Sequence, residues 1–144
     1  MTTPAAIRDS IQTVFRTTAF AVLATESAGQ PHTSLIAFTS FDAGQRLIFA
    51  TYRNTRKFTN LLQNQQVSVL VDGRHQEGAS VGLAGFILSA VGRAKEIGAA
   101  MHAQMLDAHL QKHPDLEMFT HTPDCALIEV VIESYQVVHG IDDV

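Results

Sequence analysis

Three basic residues close together in the chain, Arg53, Arg56 and Lys57, have the types and spacing best suited to binding chemistry. They follow a strand-like run that begins at Arg46, and Thr55 beside them is a favourable N-cap for the helix that comes next. Cations at a helix N-terminus oppose the positive end of the helix dipole, and a bound anion removes that conflict. The spacing therefore predicts a phosphate site at the start of this helix.

The distribution of charge favours the same interpretation. The chain carries 10 Lys and Arg against 14 Asp and Glu, a net charge of -4, yet residues 43–71 contain no acidic residue. The alternative is a solvated basic turn beside a core helix. Nucleic acid is a poor candidate, because a polyanion normally requires a basic stripe and a positive surface. A single phosphate fits the size of the cluster.

Length and composition predict one domain over residues 1–144. The chain is long enough for a hydrophobic core, and 46% of its residues are hydrophobic. The N-terminus lacks the basic and apolar regions of a signal peptide, and the longest apolar run, residues 83–91, is too short to span a bilayer. Cys125 is the only cysteine, so no internal disulfide can form. We expect a cytoplasmic protein without membrane contact.

The order of elements indicates a mainly β protein. A helix to about residue 17 precedes strands at residues 20–26 and 31–41, and short turns join these to the run from Arg46 in an antiparallel meander. Further strands are predicted at residues 67–71, 80–97 and 125–135, with a helix at residues 98–113. The segment 80–97 contains three glycines, which predict bends or bulges. The pattern predicts an antiparallel β-barrel with a few short helices.

Three histidines of the predicted third helix, His102, His109 and His113, share one helix face. Three imidazoles on one face suit zinc, copper or nickel. No carboxylate or cysteine joins them at a ligand spacing, so we predict surface histidines and no metal. The sequence also lacks a nucleophile elbow and a tuned carboxylate pair. If the protein is an enzyme, a cofactor carries its chemistry.

The runs LATESAGQPHTSLIAF and LIFATYRNTRKFTNLLQNQQVSVLV resemble the FMN-binding split-barrel family of the pyridoxamine 5'-phosphate oxidases. The match covers residues 20–71, with weaker similarity at residues 90–97 and in the closing strand ALIEVVIESYQVV. The resemblance implies a split β-barrel whose FMN phosphate is bound by Thr55, Arg56 and Lys57. It also implies a homodimer with FMN between the subunits.

The resemblance further implies that two strands hold the flavin ring. Residues Ala50 and Thr51 match the strand end that meets the ring, while Ser34, Leu35 and Ile36 match the strand whose backbone follows the other side of the cofactor. We also expect residues 81–91 to contribute to the dimer interface, because apolar residues occur on both faces of that segment.

Departures from the oxidases limit what the resemblance implies about the reaction. The chain has no Trp, and Phe86 and Ile87 stand where the oxidases carry an Arg-Gln pair. We therefore expect an FMN-dependent oxidoreductase of unknown substrate that does not oxidise pyridoxamine 5'-phosphate. The alternatives are a non-catalytic flavin protein for storage, sensing or electron transfer, and a split barrel that uses deazaflavin or haem.

Overall fold

The computed structural model describes residues 4–74 and 87–138. Within these residues the strands are β1 (Phe20–Ser27), β2 (Gln30–Phe41), β3 (Arg46–Tyr52), β4 (Gln66–Asp72), β5 (Ile87–Glu96) and β6 (Cys125–Val138). The helices are α1 (Pro4–Thr17), α2 (Arg56–Gln63), α3 (Ala99–Lys112) and α4 (Glu117–Thr120), with 3-10 turns at Asp42–Gly44 and Pro114–Leu116. None of the helices in the described ranges has the length and apolarity needed to cross a membrane.

The strands close into an antiparallel barrel in the order β1-β2-β3-β6-β5-β4. The first three are neighbours in both sequence and space because tight turns join them, and the turn between β1 and β2 uses Ala28 and Gly29 at positive φ. The last strand, β6, pairs with both β3 and β5 and closes the barrel. The predicted antiparallel barrel with a few short helices, and its opening meander, are confirmed.

Alternation along the strands builds the core. In β1, Ala21 and Leu23 are buried, while Val22 between them is exposed on the outer face. Phe38 and Phe49 pair directly across β2 and β3, and both are fully buried. Helix α1 adds Phe15, whose ring meets Phe38 edge-on at 5.7 Å between centroids. Apolar burial of this kind is the main stabilising contribution to the fold.

Helix α2 begins where the sequence predicts. The Thr55 hydroxyl accepts a hydrogen bond from the backbone N–H of Phe58 at 3.3 Å, so Thr55 caps the helix. Phe58 and Leu61 are buried against the barrel, and the Asn60 amide donates to the hydroxyl of Thr25 on β1 at 3.1 Å. These contacts hold the N-terminus of α2 beside the end of β3.

Helix α3 covers the outer face of two neighbouring strands. Ile48 of β3 and Leu127 of β6 point away from the barrel interior and form a second apolar cluster with Ile97 and Met105. The strands β3 and β6 are therefore covered on both faces. This packing also brings the remainder of α3 against β2, where it contributes to the candidate site.

One of the glycine-rich bends lies within the described residues. The register between β5 and β6 shifts between Val91 and Gly92, which marks a β-bulge. A bend at Gly92 is thus confirmed, whereas Gly82 and Gly85 lie outside the described residues. The predicted strand over residues 80–97 is described from Ile87, where β5 begins.

Candidate functional site

At one end of the closed barrel, β2 and β3 separate. Strand β2 pairs with β1 as far as Ala37, but its pairing with β3 runs from Phe38 to Phe41. Beyond Phe49, strand β3 continues to pair with β6 on its other side, as far as Tyr52. The two strands therefore separate, and each presents a backbone edge to the space between them. Unpaired strand edges carry N–H and C=O groups that a ligand can bind.

A cavity of about 220 Å³ occupies this opening, which we call the cleft. It is lined by both strand ends, the start of α2, and residues of α3, the 3-10 turn that follows it, and α4: Leu35, Ile36, Ala37, Ala50, Thr51, Tyr52, Thr55, Lys57, His109, Leu116 and Phe119. Six of the nine predicted site residues thus line one cavity: Leu35, Ile36, Ala50, Thr51, Thr55 and Lys57.

Two cations at the start of α2 lack acidic partners among the described residues. Lys57 lines the cleft, and burial lowers the pKa of its ammonium group. Arg56 lines an adjoining cavity of about 550 Å³ that shares Thr55 with the cleft and also includes His32. No acidic residue lies in the first turn of α2. A half-buried ammonium without a counter-ion favours an anion, which would restore the stability of its charged form.

The third cation of the predicted cluster is differently placed. Arg53 donates two hydrogen bonds to Glu96, with Nη1 2.6 Å from Oε1 and Nη2 3.0 Å from Oε2. The hydrogen bond from Arg53 is the main reason that the pKa of Glu96 falls below its usual value. Arg53 lines neither of the two cavities described above. Its part in anion binding stays a prediction.

Ser34, also among the predicted site residues, lies opposite Leu23 on β1. Its hydroxyl is buried and has no hydrogen-bond partner among the described residues. The residue does not line the cleft, in contrast to Leu35 and Ile36 next to it. The edge of β2 therefore borders the cleft, whereas the Ser34 side chain does not line it.

The prediction that the histidines of α3 lie on the surface is wrong for two of them. His109 is 0% exposed and His113 is 9% exposed, while His102 is partly buried. The Nδ1 atom of His109 lies 2.8 Å from the hydroxyl of Thr39, and Nε2 of His113 lies 2.7 Å from the carbonyl oxygen of Phe38. The reason is that this end of α3 packs on β2, which offers polar partners inside the core.

The architecture and the sequence together place the chain in a family. A model of the pyridoxamine 5'-phosphate oxidase family matches residues 7–139. The chain belongs to this family. A search of curated proteins gave no match.

Solved structures share the fold of this family member. They include a protein of unknown function from Agrobacterium tumefaciens, at a TM-score of 0.80 and 23% identity over 96% of this chain and 58% of that one. A haem-binding protein from Mycobacterium smegmatis matches at a TM-score of 0.79 and 18% identity, over 94% of this chain and 55% of that one. A FAD-binding protein from Mesorhizobium loti matches at a TM-score of 0.65 and 22% identity, over 88% of this chain and 90% of that one. The chain thus spans little more than half the length of the first two.

An apolar patch lies on the outer barrel face next to the cleft. Val22 pairs with Leu35 on one side and with Leu70 on the other, so the three side chains form a row across β2, β1 and β4. Phe20, 55% exposed, is the preceding outward-facing residue of β1, and the exposed Val91 of β5 lies opposite Ser68, two residues before Leu70 on β4. Leu35 is 69% exposed and belongs to both the patch and the lining of the cleft. A contiguous apolar surface of this kind is typical of an interaction site.

Several residues that line the cleft were not predicted from the sequence to lie there. His109, Leu116 and Phe119 come from the chain after β5, far in sequence from the strands they meet. The ring of Phe119 packs edge-on against Tyr52 at 4.5 Å between centroids, and so borders the end of β3. The helical spacing of the histidines places them on one face of α3, but it could not show that β2 packs against that face.

Proposed function

We propose that this chain binds FMN, with the flavin ring in the cleft and the phosphate at the N-terminus of α2. The observation that carries the proposal is Lys57, a half-buried cation without an acidic partner among the described residues, at one end of an opening bordered by two strand edges. Helix N-termini bind phosphate through free backbone N–H groups and the helix dipole. Family membership supports the same cofactor.

Each part of the site has a distinct task in this proposal. Lys57 and Arg56 neutralise the phosphate, and Thr55 holds the helix start in place through its bonds to Phe58 and to the carbonyl of Tyr52. The edges of β2 and β3 offer hydrogen bonds to the polar rim of a flat ring. The apolar side chains of Leu35 and Ile36 exclude water from its face.

The reaction in the proposal is that of a flavin oxidoreductase. Bound flavin supplies the transfer of hydride or of single electrons between a donor and a second substrate. Pyridoxamine 5'-phosphate is not part of the proposal, because a second phosphate would need further cations close to the first. Arg74, the basic residue that follows β4, is not counted as such a cation, because its guanidinium already donates two hydrogen bonds to Asp72.

Removing the cations should weaken FMN binding selectively. We expect Lys57→Met and Arg56→Met each to raise the Kd for FMN by roughly ten- to hundredfold, because each removes a charge-assisted contact worth about 1.5–3 kcal/mol. Titrations followed by flavin fluorescence measure the change. Arg8→Met, at an exposed position of α1, is the matched control and should leave the Kd unchanged.

Riboflavin separates the phosphate contacts from the ring contacts. It lacks the phosphate, so the Lys57 and Arg56 variants should bind it as well as the unaltered protein does. If unaltered protein bound riboflavin as tightly as FMN, the phosphate assignment would be wrong. If it bound neither compound, the proposed function would fail.

We also propose a homodimer that covers the apolar patch. The cleft, at about 220 Å³, is smaller than typical ligand pockets of about 300–1,000 Å³. Leu35 lines the cleft and is also part of the patch, so the two surfaces are continuous. A second copy placed there would bury the exposed apolar residues and complete the wall around a ligand. Val91 belongs both to the patch and to the segment 81–91 that the sequence analysis assigns to the interface; residues 81–86 lie outside the described residues.

Charge on the patch should therefore dissociate the dimer. We expect Leu70→Glu to sediment as a monomer at micromolar concentration, because a dimer would bury the new carboxylate against apolar surface. Met118→Glu is the matched control, since Met118 is 87% exposed on α4 and lies outside the patch. A monomeric unaltered protein with flavin bound would contradict the dimer.

Haem is the second candidate for the cleft. The fold is shared with a haem-binding protein, and His109 offers a buried imidazole to the cavity. Absorption spectra of protein incubated with FMN or with haemin distinguish the two, since flavin and haem bands differ. A flavin-loaded protein that does not turn over NADH or NADPH with an added electron acceptor would favour the non-catalytic alternative of storage, sensing or electron transfer.

A further inference from the structure

The polar side chains around the cleft differ in whether their hydrogen bonds are satisfied. The hydroxyl oxygens of Thr51 and Thr55 lie 3.0 Å apart, and each lies within hydrogen-bond distance of the carbonyl oxygen of Tyr52, so both hydroxyl hydrogens have acceptors within this group. His109 is different, because its Nε2 atom is buried and has no partner among the described residues. An unpaired polar atom in a dry interior is unfavourable, and such atoms are rare without a reason.

The ring of His109 is held firmly in this position. Its Nδ1 atom bonds to the hydroxyl of Thr39 at 2.8 Å, and the ring packs against that of His113 at 4.9 Å between centroids. The residue is 0% exposed and yet lines the cleft. With one nitrogen fixed by β2, the other is left as a fixed, unmatched hydrogen-bonding group at the cavity wall.

The imidazole of His109 is neutral at ordinary pH. Burial is the main cause that lowers its pKa to about 4, and the nearby charges of His113 and Lys112 act in the same direction. A neutral imidazole has one nitrogen that donates and one that accepts. The group therefore suits an uncharged polar partner and complements the cation of Lys57 on the same cavity.

We infer that His109 is a ligand-recognition residue whose Nε2 atom hydrogen-bonds the polar edge of the flavin ring. This inference rests on the proposed function. The pyrimidine end of a flavin carries two carbonyl groups with an N–H between them, so it can pair with either form of the imidazole. Where the Thr39 hydroxyl donates to Nδ1, Nε2–H donates to a carbonyl; in the opposite case Nε2 accepts from the ring N–H.

Access to Nε2 involves the apolar part of the cleft. Because the atom is closed to water, a ligand reaches it by displacing a neighbouring side chain. Leu116 and Phe119 line the same cavity from the 3-10 turn and the short helix α4, rather than from a barrel strand. They are the side chains that we expect to move when a ring enters.

Two substitutions at one position test the contact. His109→Asn retains an amide near the position of Nδ1, beside Thr39, but has nothing at Nε2; His109→Gln places an amide near Nε2. We expect His109→Asn to raise the Kd for FMN and for riboflavin by the same factor, about tenfold, and His109→Gln to retain most of the affinity. His102→Asn, the same change at a position outside the cleft, should have no effect.

The pattern of results separates this inference from the proposed function. Equal losses for FMN and riboflavin would support a ring contact, whereas a loss for FMN alone would overturn it. Normal flavin binding by His109→Asn would overturn the inference and leave the proposed function intact. Failure of unaltered protein to bind either flavin would overturn both. Ligation of haem iron by Nε2 of His109 would also overturn the inferred contact with the flavin ring.

A measurement on unaltered protein covers the case in which the variants do not fold. Long-range proton–nitrogen NMR spectra resolve the two nitrogens of each histidine ring. Saturation with riboflavin should shift the Nε2 signal of His109 and leave that of His102, which lies on α3 outside the cleft, in place. An unchanged His109 signal in the riboflavin complex would contradict the contact.

Discussion

Replacing Gly92 with serine should destabilise the protein by at least about 3 kcal/mol. A Cβ atom at this position would lie 2.2 Å from the carbonyl oxygen of Val131 and 3.0 Å from its carbonyl carbon. Both are backbone atoms, so rotation of a side chain cannot relieve the clash. Strand β6 cannot simply move away, because Val131 also pairs with Arg46 of β3 on its other side.

Gly98→Ser is the matched control for this substitution. Nothing lies within 4 Å of a Cβ atom at Gly98, which is the N-cap of α3, and serine is at least as good as glycine in that role. Urea denaturation of the two variants and the unaltered protein gives the free energies of unfolding. A Gly92→Ser protein as stable as Gly98→Ser would show that the close approach of β5 and β6 at the bulge is wrong.

The local part of the site was predictable from the sequence. Thr55, Arg56 and Lys57 are adjacent in the chain, and helix capping depends on bonds within one turn, so the residues themselves identify the start of α2. The same holds for the strands, whose alternation sets which side chains enter the barrel. For the helix cap and for the strands, the residues that form the pattern are close in sequence, so the pattern alone predicts the local structure.

Contacts between distant parts of the chain were not predictable in this way. Arg53 stands in a stretch without acids, and its partner Glu96 is 43 residues further on, at the end of β5. The absence of a nearby acid therefore did not mean an unpaired cation. The pairing of β5 with β6 and of β6 with β3 is what brings Glu96 alongside Arg53.

The histidines of α3 show the same limit more clearly. A histidine every few residues on a helix is typical of a polar surface stripe, and nothing within α3 indicates otherwise. Burial becomes possible because β2 supplies partners, the hydroxyl of Thr39 and the carbonyl of Phe38, 70 and 75 residues away. Buried polar groups require such partners, and only the fold shows where they are.

Burial of His109 should also make the stability of the protein depend on pH. The pKa of His109 is lowered from an ordinary value of 6.5 to about 4, so between these values the unfolded chain binds a proton that the folded protein does not. Its contribution to stability is therefore fully present above pH 6.5 and is lost as the pH falls toward 4. A shift of this size corresponds to a loss of about 3 kcal/mol at pH 4, and about 2 kcal/mol at pH 5.

The His109→Asn variant isolates this contribution, because asparagine does not titrate. Other groups near the ring are His113, whose pKa burial also lowers, and Lys112, whose pKa is lowered to about 8. Both are present in the variant as well, so the difference in free energy of unfolding between the two proteins largely cancels them. We expect that difference, measured by urea denaturation from pH 7.5 to pH 5, to shift by about 2 kcal/mol in favour of the variant as the pH falls.

Gln104→Asn serves as the control for an asparagine substitution on this helix. Gln104 is exposed on α3 and does not titrate, so its variant should follow the pH dependence of the unaltered protein. Parallel curves for His109→Asn and the unaltered protein would show that the imidazole of His109 takes up its proton as easily in the folded state as in the unfolded one. That result would contradict the dry surroundings from which the ligand contact of Nε2 is inferred.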